Sequence, residues 1–184
     1  MRVKGSALCS SMNFLRENFP PEAVDHVLNQ LSEEERGLLM HPIPSSEWFA
    51  ADILYDLMQA MTTATHEWPE KLYNRLGRQS CDDSLDTVYR VFVKMRSPAF
   101  LLKHVSQVWH NFYDEGQMIL LSSTLKAAHL RLQESQIPNP AMCVRITGWM
   151  ERAAELSGGK EPRIAHTQCI HHGGPFCEWQ AEWK

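Results

Sequence analysis

The stretch that decides the fold is RIAHTQCIHHGGPFCEWQAEWK, residues 163–184. Its first run alternates Ile164, His166, Gln168 and Ile170 against Ala165, Thr167, Cys169 and His171. Its second alternates Cys177, Trp179, Ala181 and Trp183 against Phe176, Glu178, Gln180 and Glu182. Successive strand side chains point to opposite faces, so a period of two over both runs predicts two strands. His172, Gly173, Gly174 and Pro175 supply the backbone freedom and the stop of a hairpin loop. With the loop centred near Gly173, Cys169 faces Cys177 across the ladder, and His171 shares the face of Cys169.

Opposed strand residues carry β-carbons about 4.5–5.5 Å apart, which leaves three readings of the thiol pair. Cys169, Cys177 and His171 can be metal ligands, with zinc the expected ion and a fourth ligand drawn from elsewhere in the chain. Cys169 and Cys177 can form a thiol redox switch. Or both are small buried apolar side chains beside Trp179 and Trp183.

Upstream of this hairpin, Pro138 and Pro140 lead into a helix with Met142, Ile146, Trp149, Met150, Ala153 and Leu156 on its inner side, closed by Gly158 and Gly159. Before it, Gln117–Ser122 and the alternating Ala128, Leu130 and Leu132 predict another hairpin. The earlier residues read as helices. Pro21 opens one carrying Val24, Val27, Leu28 and Leu31; Ser32 and Glu35 form a capping box for the next. A third runs from about Glu47, with Ile53, Leu54, Leu57, Met58 and Met61 at core spacing. A fourth starts at Pro69 and ends at Gly77. Asp82 or Asp83 caps a helix with Leu85, Val88, Phe92 and Met95, and Ser97-Pro98 starts one carrying Leu101, Val105, Val108 and Phe112.

The order helices, hairpin, helix, hairpin predicts an α+β fold, N-terminal helices packed on a C-terminal antiparallel sheet of about four strands. At 184 residues, 43% hydrophobic and 22% charged, the chain fits a single domain, residues 1–184, with a mainly helical part to residue 113 and the β-hairpin, helix, β-hairpin part over 114–184. A formal charge of −4 without a basic stripe argues against nucleic acid as a partner. No apolar run reaches the ~20 residues of a membrane span, and Met1–Leu8 turns polar too early for a signal peptide. Five scattered cysteines read as thiols of a reducing compartment, so a cytoplasmic location is expected.

Tyr113-Asp114-Glu115-Gly116 at a helix end, the paired strands, Gly148-Trp149 in a helix closed by Gly158-Gly159, then Cys169, Gly173-Gly174 and Cys177-Glu178-Trp179, together resemble the 4-vinyl-reductase-type ligand-binding superfamily. That superfamily also holds the haem-nitric-oxide-binding sensors and the transport-protein-particle components; a group of mostly myxobacterial proteins of about this length, sharing a Leu-Gly like Leu76-Gly77, is the nearest match. The resemblance covers the C-terminal half from about Pro98. It implies a pocket for a small apolar or lipid-like ligand, a homodimer, a protein partner downstream, a regulatory role in bacterial signalling, and Cys169 and Cys177 as metal ligands. Haem is not expected, because Leu120–Leu125 lacks the Tyr-x-Ser-x-Arg clamp of the haem branch.

Catalytic motifs are missing. There is no Gly-x-Ser-x-Gly elbow, Walker loop or dinucleotide fingerprint, and Ser157-Gly158-Gly159-Lys160 follows a helix instead of opening one. His104 reads as a helix-face histidine and His66 as solvated surface. The sequence therefore predicts a non-catalytic sensor or adaptor; the alternatives are a zinc-stabilised or dimerising interaction module and the Cys169/Cys177 redox switch.

Overall fold

Proline starts, caps and apolar spacing set the helices, and the computed structural model of the chain describes residues 1–85, 98–137 and 139–184. Strand β1 (Arg2–Lys4) runs into α1 (Gly5–Asn18), followed by α2 (Pro21–Asn29), α3 (Glu33–Met40), β2 (Trp48–Ala50), α4 (Ala51–Thr65) and α5 (Pro69–Leu85). Next come α6 (Pro98–Lys103) and α7 (Val105–His110), then β3 (Gln117–Ser123), β4 (Ala127–Gln133), α8 (Pro140–Leu156), β5 (Arg163–Gln168), a 3-10 turn (Ile170–His172) and β6 (Cys177–Glu182). The four C-terminal strands form one antiparallel sheet in the order β3-β4-β6-β5. This is the expected α+β arrangement. Among the described residues no helix is long and apolar enough to cross a membrane.

Local chemistry explains the boundaries. The Ser32 hydroxyl accepts from the Glu35 amide at 3.3 Å while the Glu35 carboxylate accepts from the Ser32 amide at 3.0 Å, so the capping box starts α3. Asn139 caps α8 by accepting from the Ala141 amide at 3.0 Å. The helix expected from Glu47 begins at Ala51 instead, because Trp48–Ala50 pairs with Arg2–Lys4 in a small second sheet. Such three-residue strands carry too little periodicity to be read from sequence.

Gly77 does not end its helix. α5 continues through Gly77, Asp82 and Asp83 to Leu85, and the glycine serves a close crossing: a β-carbon at Gly77 would lie 1.9 Å from the Arg145 carbonyl oxygen, and one at Gly148 would lie 2.1 Å from that of Asn74. Two glycines facing each other's partner helix let the α5 and α8 backbones touch. Arg78 and Arg152 then tie the pair through Glu155 and, respectively, Glu151 and Asp82. The helix expected to carry Val88, Phe92 and Met95 lies outside the described residues. The one expected from Pro98 to Phe112 breaks at His104, whose backbone leaves helical values, and becomes α6 and α7.

The core joins both halves. Leu8, Met12, Leu54, Leu57, Met58 and Leu72 from the helices belong to the same buried cluster as Leu130, Leu132, Cys177 and Trp179 from the sheet. Helix α8 lies between them, with Met142, Cys143 and Ile146 in that cluster.

Candidate metal centre and adjoining chamber

The C-terminal hairpin is not a plain ladder. His166 pairs with Trp179, but Gln168 pairs with Glu178, so β5 carries one extra residue at Thr167. A bulge of this kind inverts the alternation that follows it. His166 and Cys169, which strict period two puts on opposite faces, therefore both turn toward α8. Beyond Cys169 the chain tightens into the 3-10 turn, which Gly173 closes with φ +83°.

The bulge brings four donors together: Cys143 from α8, His166 from β5, Cys169 from the end of β5, and Cys177 from β6, all within 4.8 Å of one another. Cys143, Cys169 and Cys177 are buried. Of the expected ligands, Cys169 and Cys177 are in this cluster and His171 is not; it stands exposed in the turn, two residues past the bulge-shifted Cys169. His166 takes its place. The fourth donor, Cys143, comes from a helix whose sequence shows only that Cys143 sits one residue from the inner-side Met142.

The spacing of the sulfurs suits a tetrahedral ion. A tetrahedral zinc with Zn–S bonds of about 2.3 Å sets its sulfurs about 3.8 Å apart. Cys143 Sγ and Cys177 Sγ are 3.8 Å apart, and all the cysteines are free thiols. Cys177 is drawn well below the ordinary thiol range by its hydrogen bond to Cys143 and by His166, while the same sulfur–sulfur bond, with burial, pushes Cys143 up. The His166 ring stacks on Trp179 with centroids 4.6 Å apart, and its Nε2 is buried with no hydrogen-bond partner. Behind the cluster, Trp179 Nε1 donates to Thr147 Oγ1 at 2.9 Å, and Thr147 Oγ1 donates to the Cys143 carbonyl at 2.9 Å, locking α8 to β6 beside the sulfurs.

Two residues further along α8 begins a separate feature. Arg145, Ile146, Trp149 and Met150 wall a cavity of about 60 Å³, closed on the other side by Val105, Val108, Trp109 and Phe112 of α7 and its end, with Tyr113 and Met118 beyond. A second cavity of about 40 Å³ adjoins it, sharing Val105, Val108, Trp149 and Met150. Aromatic and aliphatic side chains dominate both.

No protein-family model matches the chain, and no curated protein does. Its fold does have solved counterparts. An Fe(II) unliganded H-NOX protein from K. algicida aligns with a TM-score of 0.76 at 14% identity over 98% of this chain and 96% of that one. An H-NOX protein from S. oneidensis in the Fe(II)NO state aligns at 0.76 and 15%, covering 98% and 99%. The NMR structure of the Shewanella oneidensis H-NOX domain in the Fe(II)CO state aligns at 0.77 and 15%, covering 98% of each chain. The chain thus has an H-NOX-like fold, the haem-nitric-oxide-binding branch of the resemblance drawn from its sequence.

The expectation that haem is not bound is corrected by this result. It rested on one missing motif in Leu120–Leu125, whereas the likeness extends over 98% of the chain and includes a structure concerned with haem redox potential and porphyrin distortion. The chamber's aromatic walls and the buried guanidinium of Arg145 suit an apolar group that carries an acid, and His104 precedes the wall residue Val105 at the head of α7.

Proposed function

We propose that this chain is a non-catalytic sensor domain, with zinc held by Cys143, His166, Cys169 and Cys177 and a small apolar ligand received in the chamber beside α8. One observation carries the reading: a single helix supplies Cys143 to the four-donor cluster and Arg145, Ile146, Trp149 and Met150 to the chamber wall. Four protein ligands leave zinc no open position, so the ion acts as a structural clamp that pins the hairpin to α8. With one end of the helix pinned, a ligand that shifts the chamber wall must move α8 against α5 or α7, and that movement is the signal available to a partner.

A second reading is favoured by His104 and by the H-NOX-like fold. In it the chamber's apolar occupant would be haem, which the His104 imidazole would hold, with Val105, Val108, Trp109 and Phe112 keeping water away. Haem bound there would supply an iron able to take a small gas.

Native mass spectrometry and absorption spectroscopy of the purified chain test both. One zinc per chain with a small-molecule adduct is expected, and a Soret band would identify the adduct as haem. Protein that carries neither zinc nor ligand after expression with both zinc and haem supplied would sink the proposal.

A further inference from the structure

The chamber walls hold two polar atoms without a partner, and both are donors. Arg145 is 3% exposed, and its Nε makes no hydrogen bond. Trp149 Nε1 is likewise buried and unpaired. The two residues are i and i+4 on α8, so they stand one above the other on the face that lines the cavity. Among the described residues no carboxylate pairs with Arg145. Its guanidinium donates to the Ala7 carbonyl at 3.5 Å and meets the Tyr113 hydroxyl, and burial pushes Tyr113 up, so that phenol stays neutral and brings no charge. A buried cation and a buried indole N–H facing an apolar cavity lack the same thing, an anionic acceptor.

We propose that the chamber binds an apolar carboxylic acid whose carboxylate sits on Arg145, within reach of Trp149 Nε1, and whose hydrocarbon body lies in the adjoining cavity. This rests on the reading of the chamber as the sensing pocket and names the chemistry of its ligand. The second cavity continues past Trp149 toward Ala153, Ala154, Ala181 and Trp183, all apolar. From Arg145 to Ala154 α8 rises roughly 13 Å, the span of a medium-length hydrocarbon chain. An alcohol or alkane of that length would fill the space but leave Arg145 uncompensated. A polar acid would meet the charge but waste the walls. A guanidinium takes a carboxylate through two parallel hydrogen bonds, which is why the acid group is favoured over a single-point acceptor. The carboxylate can belong to a fatty acid or to a haem propionate.

The test is calorimetric titration of the purified full chain, wild type and Arg145→Met, with decanoate and decan-1-ol, alongside absorbance titration with haemin and haemin dimethyl ester. For wild type, decanoate is expected to bind at least tenfold more tightly than decanol, and in Arg145→Met that preference should disappear while decanol binding is unchanged. Haemin preferred over its dimethyl ester by wild type alone, without decanoate binding, also supports the proposal and assigns the carboxylate to haem. Equal binding of acid and alcohol, or a preference that survives Arg145→Met, overturns the Arg145 proposal and leaves the chamber reading intact. Binding of none of the four probes overturns both.

Discussion

Gly148→Ala should destabilise the protein although alanine is the better helix former, and the size of the effect follows from the crossing of α5 and α8. The added β-carbon would lie 2.1 Å from the Asn74 carbonyl oxygen, 2.8 Å from its carbonyl carbon and 2.9 Å from its Cα. These are backbone atoms and cannot swing aside. Ordinary contact is about 3.5–4.0 Å, so the helices must part by roughly 1.5 Å at that point. Overpacking against an unyielding neighbour costs about 3 kcal/mol, and alanine returns about 1 kcal/mol of helix propensity, a net loss of about 2 kcal/mol. Gly37 in α3 is the internal control: nothing lies within 4 Å of its β-carbon position, so Gly37→Ala should stabilise by about 0.5–1 kcal/mol. Gly77→Ala meets the Arg145 carbonyl oxygen at 1.9 Å and should behave like Gly148→Ala. Since one separation of the helices relieves both clashes, the double variant should lose less than the sum of the two. Urea unfolding midpoints of the four variants measure this directly. A Gly148→Ala protein stabilised to the extent of Gly37→Ala would refute the argument that this glycine exists to let two backbones touch.

The remaining predictions concern the metal, the acid range and a helix cap. His166→Ala should weaken zinc binding at least tenfold while His171→Ala leaves it unchanged, read by competition with a chromophoric chelator; equal effects would show that the bulge does not select the ligand. Stripping zinc with a chelator should lower the thermal midpoint, since an ion present at a thousand times its dissociation constant contributes about 4 kcal/mol, and an unmoved midpoint would exclude a structural clamp. Burial alone would raise the Glu155 pKa, but hydrogen bonds from Arg78 and Arg152 hold it below the usual carboxylate range. Its stabilisation is thus present above the unfolded pKa of about 4.3 and lost as pH falls through the lower folded value. Glu155→Gln should therefore cost about 1 kcal/mol or less at neutral pH and nothing in strong acid, measured by denaturant titration across that range; a constant difference would argue against the ion-pair origin. Ser32→Ala breaks the α3 capping box and should cost about 1 kcal/mol in the same assay, an unchanged midpoint counting against the cap.

Residues whose partners lie close along the chain were readable before any coordinates. Pro21, the Ser32/Glu35 box and the Pro140 start of α8 act on their own turn, and the period of two in β4 and β6 is a property of consecutive side chains. Cys169 and Cys177 were legible as a pair for the same reason, being joined by a short loop. Gly77 misled because a glycine in a helical pattern has two uses, and termination and close approach look alike until the other helix is in place. The β1–β2 pairing was invisible, because three-residue strands have no periodicity to show.

What the amino-acid order settled alone was the class of the fold and the place where chemistry gathers, since helix and strand periods and short-loop neighbours are local physics. What only the tertiary structure decided was the make-up of the two sites. One extra residue at Thr167 reverses which side of β5 faces inward, so His166 replaces His171. The packing of α8 on the sheet adds Cys143 from 26 residues before Cys169. The crossing with α5 and the approach of α7 bury Arg145 Nε and Trp149 Nε1 without partners. Each of these depends on distances between segments far apart in the chain, and no local periodicity encodes them.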